Sequence, residues 1–114
     1  MPYCIVRISP SLASQHWTPL FEALHTLLAK YSKLEKCKSR LEVASMTHLA
    51  EGDADRALLT LEIALLPRPP EMLKEIGDAA FKILQDFTFP ILTKTCLRAE
   101  PTVEIRILHH YWQL

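Results

Sequence analysis

The strongest constraint on the fold is an apolar run at positions 57–66, which ends at the proline-rich segment 67–70. Alternate residues of the run place four large aliphatic side chains on one side: Leu59, Leu61, Ile63 and Leu65. Side chains of a strand alternate between the two faces of a sheet, so this pattern fits a strand that buries one face completely. Periodicity alone also permits a buried helix, but the prolines that follow favour a central strand.

Three other segments have the composition or the alternation of strands. Residues 2–8 are rich in β-branched and aromatic side chains and stop at a Ser-Pro-Ser turn. Residues 40–46 and 102–108 alternate apolar and polar side chains, which predicts strands with one apolar and one mixed face. Residues 50–55 have the composition of a turn, and we expect them to join two neighbouring antiparallel strands.

Two segments have helical spacing instead. The first predicted helix spans residues 18–32, with Thr18 as its cap and Pro19 at the first helical position. The second begins near residues 69–71, and Phe89-Pro90 should end or kink it. Residues 91–98 are then either a kinked continuation or a packed connection. The two apolar stripes consist of Leu20, Leu24, Leu27, Leu28 and Tyr31, and of Met72, Ile76, Ala79, Ala80, Ile83, Leu84 and Phe87.

The predicted elements follow the order β-α-β-β-α-β. This order indicates an α+β fold in which both helices are crossovers that pack on one face of a four-stranded sheet. At 114 residues the chain should form a single domain, residues 1–114. The other face of the sheet is either solvated or covered by symmetry mates that pair its charges. The side chains expected on that face are Arg40, Glu42, Thr60, Glu62, Glu104 and Arg106.

The composition argues against several functional classes. Lysine plus arginine equals aspartate plus glutamate at 13 each, so the broad positive field of a nucleic-acid-binding protein is missing. No apolar run approaches the roughly 20 residues that cross a bilayer, and no membrane partner is expected. Three cysteines without CxxC spacing fit a reduced, cytoplasmic setting. His109 and His110 have no acidic or cysteine residue at ligand spacing, so no metal is expected.

The Met1-Pro2 start carries the most distinctive chemistry. Removal of Met1 would leave Pro2 with a secondary amine that binds and releases a proton, unlike the amide nitrogen of an internal proline. A free α-amino group has a pKa of about 7.7–8.0, and apolar surroundings or nearby cations lower it further. Such an amine can act as a general base next to a carbonyl. With Met1 retained, Pro2 is only a rigid start to an edge strand.

Three stretches of the sequence resemble the tautomerase superfamily, most closely its 5-carboxymethyl-2-hydroxymuconate delta-isomerase branch. They are the start Met1–Val6, the segment Lys38-Ser39-Arg40 followed by His48–Gly52, and residues 57–68 that lead into the second helix. With compatible helices between them, the resemblance covers almost the full length of the chain.

The resemblance implies a homotrimer without a cofactor that moves a proton between carbons of a small unsaturated 2-keto or 2-hydroxy carboxylate, a reaction of aromatic catabolism. It implies that Pro2 is the catalytic base and that Arg68 is a catalytic residue that stabilises the dienolate. Arg40 and Lys38 match positions that bind the substrate's carboxylates. A guanidinium stabilises developing negative charge by charge-assisted hydrogen bonds without changing its own protonation.

This sequence departs from the family's pattern at several positions. Lys38 stands where the branch often has another arginine, and Arg7 stands where an acidic residue is common. Pro67-Arg68-Pro69 replaces a glycine-rich turn, and Pro90 interrupts the second helix. These departures imply a reshaped pocket.

Simpler interpretations stand beside these assignments. A noncatalytic protein of the same fold, which binds a small molecule or serves assembly, is the alternative function. By default Arg68 is a solvated loop arginine, and Arg40, beside Glu42, is a cross-strand salt-bridge partner. Trp17 is expected to anchor the first helix to the core or to a neighbouring subunit, and Cys4 is expected to be a small buried thiol.

Overall fold

The computed structural model describes residues 2–32, 37–45 and 56–109 and contains the predicted α+β arrangement of four strands and two helices. A short 3-10 turn at Pro10–Leu12 follows the first strand, where the sequence predicted a turn. In chain order the elements are β1 (Tyr3–Ile8), α1 (Thr18–Leu28), β2 (Lys38–Val43), β3 (Leu59–Leu65), α2 (Pro70–Thr95) and β4 (Thr102–Ile107).

The strands lie in the order β2-β1-β3-β4. Strand β1 is parallel to β2, β3 is parallel to β4, and the central pair β1 and β3 is antiparallel. Each helix therefore connects two parallel neighbours, as the right-handed crossover of a β-α-β unit requires. The sequence-based expectation that β2 and β3 are neighbours is wrong, because β1 lies between them. The connecting residues 50–55 lie outside the described residues.

One face of the sheet is covered by both helices and forms the core. The central strands bury every second side chain against the helices, and for β3 the alternation in residues 57–66 predicted which ones. The fully buried side chains come from Cys4, Val6 and Ile8 of β1, from Leu61 and Ile63 of β3, from Leu20 and Leu24 of α1, and from Ile76, Ala80 and Leu84 of α2. We call the opposite side of the sheet the open face.

Trp17 anchors the start of α1 to the core, as the sequence predicted. Its side chain is buried, and its indole Nε1–H donates a hydrogen bond to the carbonyl oxygen of Leu12 at 3.0 Å. Its ring centroid lies 5.5 Å from that of Phe87 on α2. This distance is typical of a favourable aromatic pair, so Trp17 also holds the two helices together.

Helix α2 runs through Pro90 and ends at Thr95, so residues 91–95 continue the helix rather than form a separate connection. The exposed position of Pro90 explains this tolerance, since the backbone group left without a partner can bind water. Cys96 ends the helix with a left-handed backbone conformation, φ 57°. Helix α1 ends at Leu28, four residues before the predicted limit. Within the described residues, neither helix combines the length and apolarity needed to cross a bilayer.

Candidate functional site

Pro2 lies at the end of the sheet where β1 and β2 begin and β3 finishes. Its carbonyl oxygen accepts a hydrogen bond from the backbone N–H of Lys38 at 3.2 Å, and Pro2 is buried. The next residue, Tyr3, lies directly between Lys38 of β2 and Ala64 of β3. Pro2 directly precedes β1, so its missing N–H removes no hydrogen bond from the sheet. The expectation that it starts an edge strand is wrong, because β1 lies between β2 and β3.

Arg68 belongs to the loop that leaves β3 at the same end of the sheet. The register that pairs Tyr3 with Ala64 puts Pro2 beside Leu65, the last residue of β3. Arg68 follows Leu65 by three positions, so the Cα atoms of these two residues lie at most about 11 Å apart. The Arg68 guanidinium donates through Nη1 to the carbonyl oxygens of Leu66 at 3.0 Å and Pro67 at 3.1 Å. In this structure Arg68 therefore is a loop arginine, as the simpler interpretation had it, but it binds the carbonyl oxygens of its own loop.

The predicted site residues do not all share one face of the sheet. Pro2 precedes Cys4 by two positions, and this alternation assigns both to the face covered by the helices. Lys38 and Arg40 alternate onto the open face, because they pair with Tyr3 and Ile5. Within one chain, the two cations and Pro2 can therefore approach a common ligand only around the end of the sheet.

Arg40 is held by two neighbours on the open face. Its Nε lies 2.8 Å from Oε2 of Glu42, two residues further along the same strand. Its Nη1 donates to the hydroxyl oxygen of Tyr3 at 3.3 Å, and its Cζ lies 5.4 Å from the centroid of the Tyr3 ring. The simpler interpretation of Arg40 as a salt-bridge partner is confirmed, but the pair lies along one strand and not across two. About half of its side chain stays exposed, so other N–H groups of the guanidinium remain accessible to a ligand.

Arg7 organises the charges on the rest of the open face, a role that the sequence analysis missed. Its Nε lies 2.9 Å from Oε1 of Glu42 and its Nη1 lies 3.3 Å from Oε1 of Glu62. Burial acts to lower the pKa of Arg7, but hydrogen bonds to Glu62 and Glu42 and their charges outweigh it and raise that pKa. Arg106 lies 3.9 Å from the other oxygen of Glu62. Alternation along β1 places Arg7 on the face of Tyr3 and could have revealed it.

Two cysteines lie close to Pro2 on the helix-covered side. Cys4 is fully buried, as the sequence predicted, and Cys37 directly precedes β2 and is also buried. Burial, and to a smaller extent the neighbouring Cys37, raises the pKa of the Cys4 thiol from 9.0 to about 12. The thiol of Cys4 is therefore neutral at physiological pH and provides no negative charge beside Pro2.

A small cavity of about 220 Å³ lies at the opposite end of the sheet, where β3 and β4 begin. None of the predicted site residues lines it. Its lining residues are Arg56, Ala57, Leu58, Leu59, Thr60, Glu100 and Thr102. Among residues 2–32, 37–45 and 56–109, no three acidic, histidine or cysteine side chains come together in a way that could hold a metal ion. His110, weighed above as a possible metal ligand, lies outside the described residues.

Comparison with solved structures identifies the fold. No protein-family model and no curated protein matches the sequence. A 5-carboxymethyl-2-hydroxymuconate isomerase from Deinococcus radiodurans R1 superposes with a TM-score of 0.86 at 20% identity, over 99% of this chain and 88% of that one. A 5-carboxymethyl-2-hydroxymuconate delta-isomerase gives 0.84 at 13% identity, over 100% and 87%. A fused 4-OT in a symmetric trimer gives 0.65 at 16% identity, over 93% and 85%. The fold is therefore that of these isomerases and of the fused 4-OT, as the resemblance in sequence implied.

Proposed function

We propose that this chain is a tautomerase or isomerase that moves a proton between carbons of a small unsaturated 2-keto or 2-hydroxy carboxylate. Pro2, freed by removal of Met1, is the general base. The observation that carries the proposal is the register of β1 with its two neighbours, which brings Pro2, the start of β2 and the loop of Arg68 to one end of the sheet. The likeness of the fold to that of named isomerases supports the same kind of function.

The surroundings of Pro2 favour a base that is partly neutral near pH 7. Pro2 is buried, and the high pKa of Cys4 indicates that charge is poorly solvated two residues further along the same face. Desolvation that raises the pKa of a thiol lowers the pKa of an amine, because in both cases it disfavours the charged form. An amine whose pKa is lowered toward 7 can accept a proton from carbon and return it.

Arg68 is the proposed stabiliser of the dienolate. To reach a ligand, its guanidinium must leave the carbonyl oxygens of Leu66 and Pro67. Leu66 and Pro67 are exposed, so water can replace the guanidinium at their carbonyl oxygens, at a cost of at most about 1.5–3 kcal/mol for each hydrogen bond. A hydrogen bond from the guanidinium to a developing oxyanion is stronger than the guanidinium–carbonyl contacts that it replaces, because both of its partners are charged.

Lys38 and Arg40 are the proposed ligands of the substrate's carboxylate groups. Both lie on the open face near its Pro2 end, and Lys38 makes no ion pair within the part of the chain that the structure describes.

A homotrimer is part of the proposal. It is supported by the symmetric trimer of the fused 4-OT and by the edge strands β2 and β4, whose outer backbone edges have no strand partner among the described residues. The proposal also includes a reducing, cytoplasmic setting, which is inferred from the three cysteines.

The decisive experiment compares three amino termini. The forms are a chain that starts at Pro2, a chain that keeps Met1, and a chain in which alanine replaces Pro2 after removal of Met1. Intact mass confirms each form, and ketonisation of a 2-hydroxymuconate-type dienol is followed by ultraviolet absorbance. The Pro2 form should be fastest. The Met1 form should lose about 10²–10⁴-fold in rate, because a positioned general base contributes that much.

The alanine form should be intermediate, since it keeps a primary amine in place of the secondary one. Circular dichroism of all three forms controls for folding. Equal rates for the three forms would refute the assignment of Pro2. Saturable binding of the dicarboxylate without turnover in any form would favour the noncatalytic alternative.

A further inference from the structure

Tyr3 occupies a position on the open face that the proposed mechanism does not use. It follows Pro2 directly and pairs with Lys38 on one side and with Ala64 on the other. Arg40, two residues beyond Lys38, brings its guanidinium to 5.4 Å from the Tyr3 ring centroid. This distance lies within the roughly 6 Å over which a cation is attracted to the face of an aromatic ring.

The hydrogen bond between Arg40 and Tyr3 has only one possible direction. A guanidinium is a donor only, so the Tyr3 hydroxyl oxygen accepts from Nη1 of Arg40, 3.3 Å away. The hydroxyl hydrogen of Tyr3 then remains available, and no acceptor for it lies among the described residues. A phenol whose oxygen accepts from a cation becomes a better donor through its own hydrogen, because consecutive hydrogen bonds polarise one another.

Glu42 restrains Arg40 from the other side. The 2.8 Å contact between Nε of Arg40 and Oε2 of Glu42 leaves the guanidinium between a carboxylate and an aromatic ring. Few rotamers of the long Arg40 side chain satisfy both contacts. The side chain therefore loses most of its conformational entropy before a ligand binds. Lys38, with a compact ammonium that makes no ion pair among the described residues, stands across from Tyr3 on β2.

We infer that Tyr3 orients Arg40 and itself donates a hydrogen bond to a carboxylate or carbonyl oxygen of the ligand, so that Tyr3, Arg40 and Lys38 form one anion-recognition group next to Pro2. This inference rests on the proposed function and names a residue that selects the substrate. One neutral donor between two cations suits a small acid with two separated oxygen groups. A single carboxylate engages fewer of these donors.

A binding experiment tests this inference separately from catalysis. The ligand is cis,cis-muconate, an unsaturated dicarboxylate without the hydroxyl or keto group that tautomerisation requires, and the monocarboxylate sorbate is its comparison. Titration calorimetry measures both with the Pro2 form and with the Met1 form. The variants are Tyr3→Phe, which keeps the ring, and Tyr3→Leu, which removes it. Tyr31→Phe is the matched control, because Tyr31 lies beyond α1 and its partner is Glu75.

Tyr3→Phe should weaken muconate binding about tenfold, the usual effect of one hydrogen bond to a charged group. Tyr3→Leu should weaken it further, because Arg40 loses the ring as well, and Tyr31→Phe should bind like the unmodified protein. With a substrate that turns over, Tyr3→Phe should raise KM and leave kcat within about twofold, as expected for uniform binding. If Tyr3 only covered the sheet, its replacement would not raise KM while leaving kcat unchanged.

The outcomes distinguish this inference from the proposed function. If muconate binds and Tyr3→Phe weakens it while no form turns over, the anion-recognition group stands and the isomerase proposal falls. If the Pro2 form turns over but Tyr3→Phe leaves muconate affinity and KM unchanged, the inference is overturned and the proposed function survives. Absence of saturable muconate binding to the unmodified protein at millimolar concentrations also overturns it.

Discussion

Replacing Cys4 with alanine should change how the stability of the protein depends on pH. In the folded chain the Cys4 thiol keeps its proton until a pKa of about 12, whereas its ordinary value is 9.0. Between these values the unfolded state holds fewer protons than the folded state. The free energy of unfolding therefore falls as the pH rises through this window, and the effect of Cys4 is absent below about pH 8.

The expected size follows from the two pKa values. A difference in proton binding of one full proton changes the free energy of unfolding by about 1.4 kcal/mol for each pH unit. Between pH 8 and pH 10.5 the accumulated loss that Cys4 causes is about 2 kcal/mol, because the folded thiol hardly ionises in this range. Across the same pH range, the free energy of unfolding of the Cys4→Ala variant should fall by about 2 kcal/mol less than that of the unmodified protein, whatever the stability of the variant at pH 8.

Urea unfolding followed by tryptophan fluorescence measures this difference. Trp17 is a suitable probe because its side chain is buried against Phe87. Protein concentration must be equal in all samples, since assembly makes apparent stability depend on it. Ionisation of lysines and tyrosines is common to both proteins and cancels in the comparison. Cys96→Ala is the matched control, because the exposed thiol of Cys96 loses little hydration on folding.

Parallel curves for the unmodified protein and the Cys4→Ala variant would refute the reasoning. They would mean that the thiol is hydrated in the folded chain. The argument that Pro2 lies in a poorly solvated place, which depends on the same burial, would then lose its support.

Two further changes test the packing around the site. Arg7→Met should lower the free energy of unfolding by about 2 kcal/mol, because Glu62, whose side chain is 12% exposed, loses its nearest cation. Adding Glu62→Gln should recover about half of this loss in urea unfolding, and strictly additive effects would contradict a coupled ion pair. Cys96→Gly should stabilise the chain by about 1 kcal/mol, since φ 57° strains any residue with a Cβ. A melting temperature unchanged by Cys96→Gly would contradict that strain.

The local pattern of apolar residues was sufficient to predict which segments form strands and which form helices. The alternation in residues 57–66 and the prolines after it led to β3, and the two apolar stripes led to α1 and α2. The boundaries were less predictable, because neighbouring turns decide where a helix stops. Helix α2 passes through Pro90, where the sequence left open whether the helix ends or continues with a kink. A long helix that is packed along one side tolerates a single missing hydrogen bond at an exposed position.

The candidate site was predictable in its residue types but not in its geometry. Pro2, Arg68, Arg40 and Lys38 were chosen from chemistry and resemblance. Their assignment to two faces of the sheet, and the contacts of Arg68 with its own loop, appear only in the structure. Tyr3 was missed as a candidate because no sequence pattern indicates that it lies against a guanidinium 37 positions away.

The sequence by itself determined the order of strands and helices and which side of β2, β3 and β4 faces the core, because both follow from the spacing of apolar residues along the chain. Only the tertiary structure decided that β1 separates β2 from β3 and that the starts of β1 and β2 meet the end of β3. The pairing of distant strands depends on which apolar faces can be buried together. That choice is made among segments far apart in sequence, so no local pattern contains it.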